Sequence, residues 1–547
     1  MTKFNSPLEA FLHWEHTSPD HIFLRQFDKG KIDSLSFRQS GQQIRKMAHA
    51  IIKRNLPPHS NIALLSKNCE YWVMADLAIM MSGHVSIPIY PTLNSESIKP
   101  IIEHSESKLL FIGKLDNYDS QKDAFKNIPK ISVGKYGIQE DDTWEALMES
   151  HDPLQKISLP DPETLITIIY TSGTTGNPKG VMHSHQNFAN AAFNLSQTLS
   201  LPEHPRYFSY LPLSHIAERI GLEMGAISLG GMLTFSESLD TFASNLEVTQ
   251  PDLFFAVPRI YAKFQEKILE GLSQKKMNIV LAIPFLNKFF KNKLKSKLGL
   301  SKAKYIASGA APLAVSVMEW YKKLGIEIIQ AYGMTEDCII SHCNLPKSNK
   351  FGTVGTFTYG ATAKLSDIGE ICVMNDCLLL GYYKNPEETA KVFDKDGYLK
   401  TGDIGEYDHD GFLTITGRAK DQFKTDKGKY ISPAPIELSI SKNKDIEQVC
   451  IVGMGIPQPI MLVIPSLIGK TKSRTELSES LLQSILEVNP TLEKHEKIEK
   501  AIIMKEDWTV ENGLMTPTLK IKRSQVEKIH MPMYRSWFDA EGRILYE

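Results

Sequence analysis

The chain has 547 residues, 42% hydrophobic and 23% charged, too long for one ordinary core and expected to form several lobes of a soluble, folded protein. A net charge of −1 provides no overall field to recruit nucleic acid or anionic lipid, which counts against DNA or RNA binding. Six cysteines in so long a chain are no disulfide framework, so reduced thiols are expected. Cys338, His342 and Cys343, followed by Cys372 and Cys377, do not have zinc-ligand spacing. The start, MTKFNSPLEAFLHWEH, lacks the charged-then-apolar layout of a signal peptide, and no apolar stretch is long enough to span a bilayer. A cytoplasmic location is expected.

The first half alternates helices and strands. Ile44, Met47, Ala48, Ile51 and Ile52 fall on one helical face. NIALL (61–65) reads as a buried strand, EYWVMADLAIMMSG (70–83) as a helix and VSIPIY (85–90) as the next strand. A helix around SIKPIIEHS precedes the strand LLFIG (109–113). The rhythm resumes at TLITIIY (164–170), DLFFAVP (252–258), AKYIASG and IEIIQAY. Such alternation predicts an α/β fold with a parallel sheet covered on both faces. The later strands run into loops rich in Gly, Pro, Thr or Ser, and open α/β sheets bind ligands beyond the carboxyl ends of their strands.

From Gly271 to Lys304 the chain carries nine lysines and no acid, interleaved with Ile279, Phe285, Phe289 and other apolar residues. Two readings stand: a solvated helical hairpin with its apolar face on the core, or a basic amphipathic element lying on an anionic membrane surface. Beyond about residue 365, glycine-punctuated short strands such as DGYLKTGDIGEYDHDGFLTITGR (396–418) predict a β-rich lobe. AKDQFKTDKGKY (419–430) reads as a charged, strand-poor linker, and QVCIVG and IMLVIPS belong to a small α+β domain after it. The expected division is 1–419 and 420–547.

The strongest local signal is YTSGTTGNPKG (170–180). The sequence runs from a strand ending at Tyr170 to a helical pattern near His185. Between them, hydroxyls of Thr171, Ser172, Thr174 and Thr175 can donate to anionic oxygens, and Gly173, Gly176 and Gly180 let backbone N–H groups approach. Lys179 adds a mobile positive charge. A P-loop needs Gly before its Lys and Ser or Thr after it; Pro178 and Gly180 stand there instead. SGAAPL (308–313), with Gly309, Ala310 and Ala311, suits a flat base lying on backbone. AYGMTED (331–337) offers the Tyr332 ring, Gly333, the Thr335 hydroxyl and a hard carboxylate oxygen at Glu336 for Mg2+. Asp403 in TGDIGE suits ribose hydroxyls, and Arg418 supplies a guanidinium. Each also reads as turn chemistry or a surface ion pair; their coincidence carries the weight.

In this order, YTSGTTGNPKG, LPLSHIAER, SGAAPL, YGMTE, TGD and GR resemble the adenylate-forming superfamily across nearly the whole chain. LPLSHIAERI (211–220), AVPRIYAKF (256–264) and ENGLMTPTLKIKR (511–523) make it most similar to long-chain acyl-CoA synthetases. The resemblance implies a large N-terminal ATP- and acyl-binding domain and a small mobile C-terminal domain. It implies that a fatty acid is activated by Mg-ATP to an acyl-adenylate and passed to coenzyme A. Alternatives are transfer to a carrier protein or amine, or an inactive lipid-binding homologue.

By the same resemblance, Thr171 to Lys179 wrap the β- and γ-phosphates, and Glu336 with Thr171 holds Mg2+. Gly309 to Ala311 and Tyr332 enclose adenine, while Asp403 and Arg418 bind ribose. His215 lies near the substrate carboxylate, with a structural role as its alternative. Lys520 bridges α-phosphate and carboxylate oxygens, although nothing local separates it from Lys522 and Arg523. Lys420 falls at the hinge and KGKYISPAP (427–435) faces the thiol tunnel. AERIGLEMGAISLGG (217–231) is expected to line the acyl tunnel, with packing as the alternative.

Overall fold

The computed structural model describes residues 2–171, 178–510, 512–516 and 520–547. Among these, the N-terminal domain holds two large sheets, of nine and eight strands. The first has a parallel centre of Arg206–Ser209, Met232–Phe235, Leu253–Ala256, Tyr305–Ser308 and Ile328–Tyr332. The second pairs Asn61–Leu65 in parallel with Val85–Ile89 and Leu109–Ile112, and sets Leu165–Thr171 beside Val85–Ile89. Strand–helix alternation is thus correct locally, yet it distributes into two sheets rather than one.

One continuous apolar core joins the sheets through the helices Phe37–Ile52, Glu70–Met81 and His185–Leu199. All of Glu70–Met81 except Tyr71 is buried, which explains its apolar sequence on every side. Val85–Ile89 is likewise buried along its whole length, as a strand covered on both faces must be.

One feature departs from the sequence reading, and two others refine it. The chain does not pass from a loop into the helix at His185. It first returns as the strand Lys179–Ser184, antiparallel to Leu165–Thr171, with Thr171 opposite Lys179. Residues 419–430 are strand-poor, with the short strand Phe423–Lys424 paired with Tyr430–Ile431, and Phe423 is buried in the C-terminal core. Segment 217–231 is packed on every side. Arg219 and Asp76 have no exposed side-chain surface and are joined at 2.7 Å, while Arg219 also donates to Thr167 Oγ1 at 2.7 Å.

A four-stranded antiparallel sheet from Thr362–Leu365 to Leu413–Arg418 forms the β-rich lobe. The smaller C-terminal domain has its own four-stranded sheet, containing Ile446–Val452, Ile460–Pro465, Lys500–Ile503 and Ile544–Tyr546. Separate apolar clusters built around its strands give this unit a core of its own. Among the described residues, no helix is long and apolar enough to cross a membrane.

Candidate functional site

Two adjacent parallel strands, Tyr305–Ser308 and Ile328–Tyr332, end side by side and deliver the loops at Gly309 and Gly333. A Cβ on Gly333 would lie 2.4 Å from Cα of Ile339, so only glycine lets the chain fold back so tightly. Ala310 adopts φ +66°, a left-handed conformation uncommon for a residue with a Cβ. Asp337 pins the second loop by accepting from the Met334 N–H at 2.8 Å, and burial raises its pKa to about 7. The Thr335 carbonyl accepts from His183 Nε2 at 2.9 Å, which fixes that tautomer.

The β-rich lobe brings Asp403 and Arg418 opposite each other on paired strands. Arg418 Nε meets Asp403 Oδ1 at 2.8 Å, and the Tyr332 hydroxyl donates to Asp403 Oδ2 at 2.6 Å. Both carboxylate oxygens are therefore engaged and aimed from a buried position. Burial, then the Asp403 charge, pushes the Tyr332 hydroxyl well above its ordinary pKa, so it remains a donor.

Glu336 is also buried. Its Oε1 accepts from the Tyr382 hydroxyl at 2.9 Å, and burial raises its pKa against that hydrogen bond and the charges of Arg418 and Lys179. Lys179 Nζ donates to Glu388 Oε2 at 2.5 Å and lies 5.1 Å from the centre of the Tyr382 ring. Thr171 faces Lys179 across the hairpin. Ser172, Gly173, Thr174, Thr175 and Gly176 lie outside the described residues.

The C-terminal domain contributes Lys520. Lys520 N–H donates to Thr516 Oγ1 at 3.0 Å, the Thr516 N–H donates to the Lys520 carbonyl at 2.8 Å, and Met515 bridges to Ile521. Lys520 keeps solvent access but is crowded by protein on its inner side. Loss of water there, with the Arg418 guanidinium nearby, lowers its pKa to about 8 against the pull of Asp403. His215 caps the helix Ile216–Glu218, its Nδ1 accepting from the Ala217 N–H at 3.2 Å. Burial, then the Lys520 charge, holds the imidazole down to about 3, so it is neutral. Lys520, His215, Asp403 and Arg418 thus share one electrostatic environment. Arg523 is used elsewhere, in an ion pair with Glu437 and a 2.5 Å bond to the Ile451 carbonyl.

The fold thus brings towards one region a carboxylate that faces two donors, a second buried carboxylate and lysines from two domains. The profile of AMP-binding enzymes matches residues 11–383, well over half the chain. The chain belongs to the AMP-binding enzyme family. The C-terminal domain profile of AMP-binding enzymes matches residues 420–533. This AMP-binding enzyme is 27% identical to fatty acyl-CoA synthetase B of Dictyostelium discoideum over 94% of its own length and 86% of that relative. It is 28% identical to long-chain-fatty-acid--CoA ligase 5 of Rattus norvegicus, over 92% and 84%. Its fold is shared by the adenylation domain of a carboxylate reductase from Mycobacterium chelonae, with TM-score 0.82, 20% identity and coverage of 98% and 91%. A Bacillus subtilis o-succinylbenzoate CoA synthetase solved with its acyl-adenylate intermediate matches with TM-score 0.76, 20% identity and coverage of 96% and 99%.

Sequence reasoning missed Tyr382 and Glu388. Both belong to GYYKNPEET (381–389), where Asn385 caps the helix Pro386–Val392 by accepting from the Glu388 N–H at 3.1 Å. The capping pattern was readable there, but not the contacts with Glu336 and Lys179.

Proposed function

We propose that this AMP-binding enzyme activates a long-chain fatty acid with ATP and transfers the acyl group to coenzyme A. The observation that carries the reading is Asp403 held between Arg418 and the Tyr332 hydroxyl, with Lys520 of the C-terminal domain within electrostatic reach of Asp403 and Arg418. In the first step a carboxylate oxygen attacks the α-phosphorus, the bond to pyrophosphate breaks, and acyl-adenylate forms. The thiol sulfur of coenzyme A then attacks the acyl carbon, AMP leaves, and the thiol proton is released.

Two anions must meet in the first step, so cations and aligned donors supply much of the catalysis. Asp403, oriented by Tyr332 and Arg418, accepts from the ribose hydroxyls. Gly309, Ala310, Ala311, Tyr332 and Gly333 enclose adenine, with Thr335 beside them. The strand hairpin carrying Thr171 and Lys179 grips the β- and γ-phosphates, and Lys179 exchanges Glu388 for phosphate oxygens. Lys520 spans the α-phosphate and the attacking carboxylate. Neutral His215 orients that carboxylate without adding charge.

The residues fit Mg2+: Glu336 offers a hard carboxylate steadied by Tyr382, with Thr171 as second donor. The ion would draw off phosphate charge. The domains divide near residues 419–420, where a turn follows Arg418, and the smaller domain moves between half-reactions.

Carboxylate-dependent exchange between ATP and pyrophosphate tests the first step across short to long chains. No exchange with any carboxylate overturns the enzyme reading. Thioester formed on adding coenzyme A distinguishes this acceptor from a carrier protein or an amine. Lys520→Ala should abolish exchange yet still convert supplied acyl-adenylate to thioester; equal loss of both would refute the division of labour.

A further inference from the structure

The lysine-rich segment folds as two helices, Gln274–Ala282 and Pro284–Lys297, turned about Ile283. Pro284 starts the second helix, and Asn287 Nδ2 donates to the Leu281 carbonyl at 2.7 Å, so the apex has a defined shape. Its inner face is already satisfied. Met277 is buried, and Leu281, Phe290, Leu294 and Leu298 pack against the core around Trp320 and Tyr321.

The apex is left over from that packing. Phe285 is 83% exposed, Ile279 63% and Phe289 62%, with Ile283 and Leu286 exposed between them. Large apolar side chains that the core does not use, gathered on the two helices that flank Ile283, call for an apolar partner. Around them stand exposed Lys275 and Lys276 on one helix and Lys288 and Lys293 on the other, with no acid from 271 to 304. Lys297 is paired with Glu247 at 3.4 Å at the far end, away from the apex.

We infer that this apex docks on an anionic lipid bilayer, burying Phe285, Phe289 and Ile279 among the acyl chains while the lysine collar meets the headgroups. An apolar tip inside a cationic ring matches a membrane interface, where apolar area and headgroup charge add. The whole chain is nearly neutral, so the attraction is local. The docking stands independently of which carboxylate the enzyme activates.

The test is sedimentation of the full chain with vesicles of phosphatidylcholine and of phosphatidylcholine mixed with phosphatidylglycerol. The chain should sediment with the mixed vesicles and be released by salt. Phe285→Ser/Phe289→Ser should weaken partitioning at least about tenfold. Lys275→Glu/Lys276→Glu should do the same, since each lysine near the surface contributes about fivefold. Thermal midpoints of both variants should match the parent, because neither pair serves the core. Phe285→Trp should shift its emission to the blue only with mixed vesicles. Equal sedimentation with both vesicles, or with neither, overturns the inference. Full binding by the double serine variant also overturns it, leaving a charged patch suited to an acidic macromolecule.

Discussion

Raising the pH through the titration of Lys520 tests the proposed adenylation site directly. Burial and Arg418 lower this ammonium from 10.5 to about 8 in the free enzyme, with Asp403 pulling the other way. The charged form is the one that can span phosphate and carboxylate, so activity should be present below about pH 8 and lost above it. In ATP–pyrophosphate exchange, kcat/KM reports the free enzyme; it should fall roughly tenfold per pH unit on the alkaline side. The descending limb of kcat should lie higher, because bound phosphates favour the cation. His215, held to about 3, stays neutral throughout and contributes no limb near neutrality. Lys520→Arg should carry its charge past this range and remove the limb from whatever activity remains. The assay is exchange measured from pH 6 to 10 with carboxylate varied from well below to well above saturation, a range of about two units either side of the midpoint. A profile flat until the ordinary lysine range, or a limb that survives in Lys520→Arg, would refute the reasoning.

Two further outcomes follow from pairs seen in the structure. Glu388 is held down to about 2 by Lys179 and Lys391 and so competes with phosphate for Lys179 across the working pH range. Glu388→Gln should tighten pyrophosphate binding by about threefold in calorimetry, a modest gain because the pair is partly solvated; unchanged binding would rule out that competition. Asp76→Ala strands the fully buried Arg219 and should cost about 3–5 kcal/mol in urea unfolding, toward the lower end because Glu223 stays 3.7 Å from Arg219 Nε. Asp76→Ala combined with Arg219→Met should recover part of that loss.

Much of the candidate site could be proposed from sequence because its signals are local. A buried strand ending in small or hydroxyl residues announces itself within ten residues, as at Ser308–Gly309 and Tyr332–Gly333. What escaped was set by distant pairing. Lys179 and Glu388 are 209 positions apart, and Tyr382 lies 46 beyond Glu336. The division into two sheets is of the same kind: Leu24 pairs in register with Leu233, and no local periodicity encodes that. Lys179–Ser184 was missed as a strand because Gly180 interrupts its apolar run. In the apolar stretch 217–231, Arg219 pairs with Asp76, a residue inside another apolar helix, and no local pattern encodes that partner.

The proposed reaction asks the C-terminal domain to deliver Lys520 and then leave, so its contact with the larger domain should be weak. Arg259, at the start of the helix Pro258–Gly271, forms an ion pair with Glu447 on the first strand of the C-terminal sheet. The two side chains are 44% and 34% exposed, which places the pair among surface ion pairs worth up to about 1 kcal/mol. Arg259→Ala should therefore lower exchange by at most about fivefold, and Glu447→Ala should match it. The double variant should be no worse than either single one, as expected when both remove the same interaction. Conversion of supplied acyl-adenylate to thioester should be unchanged or faster, because that step needs the contact broken. Rising salt should reproduce the loss in the parent and leave the variants nearly unaffected. Equal impairment of both half-reactions would mean that the pair supports folding of the helix or strand instead of holding the adenylation arrangement.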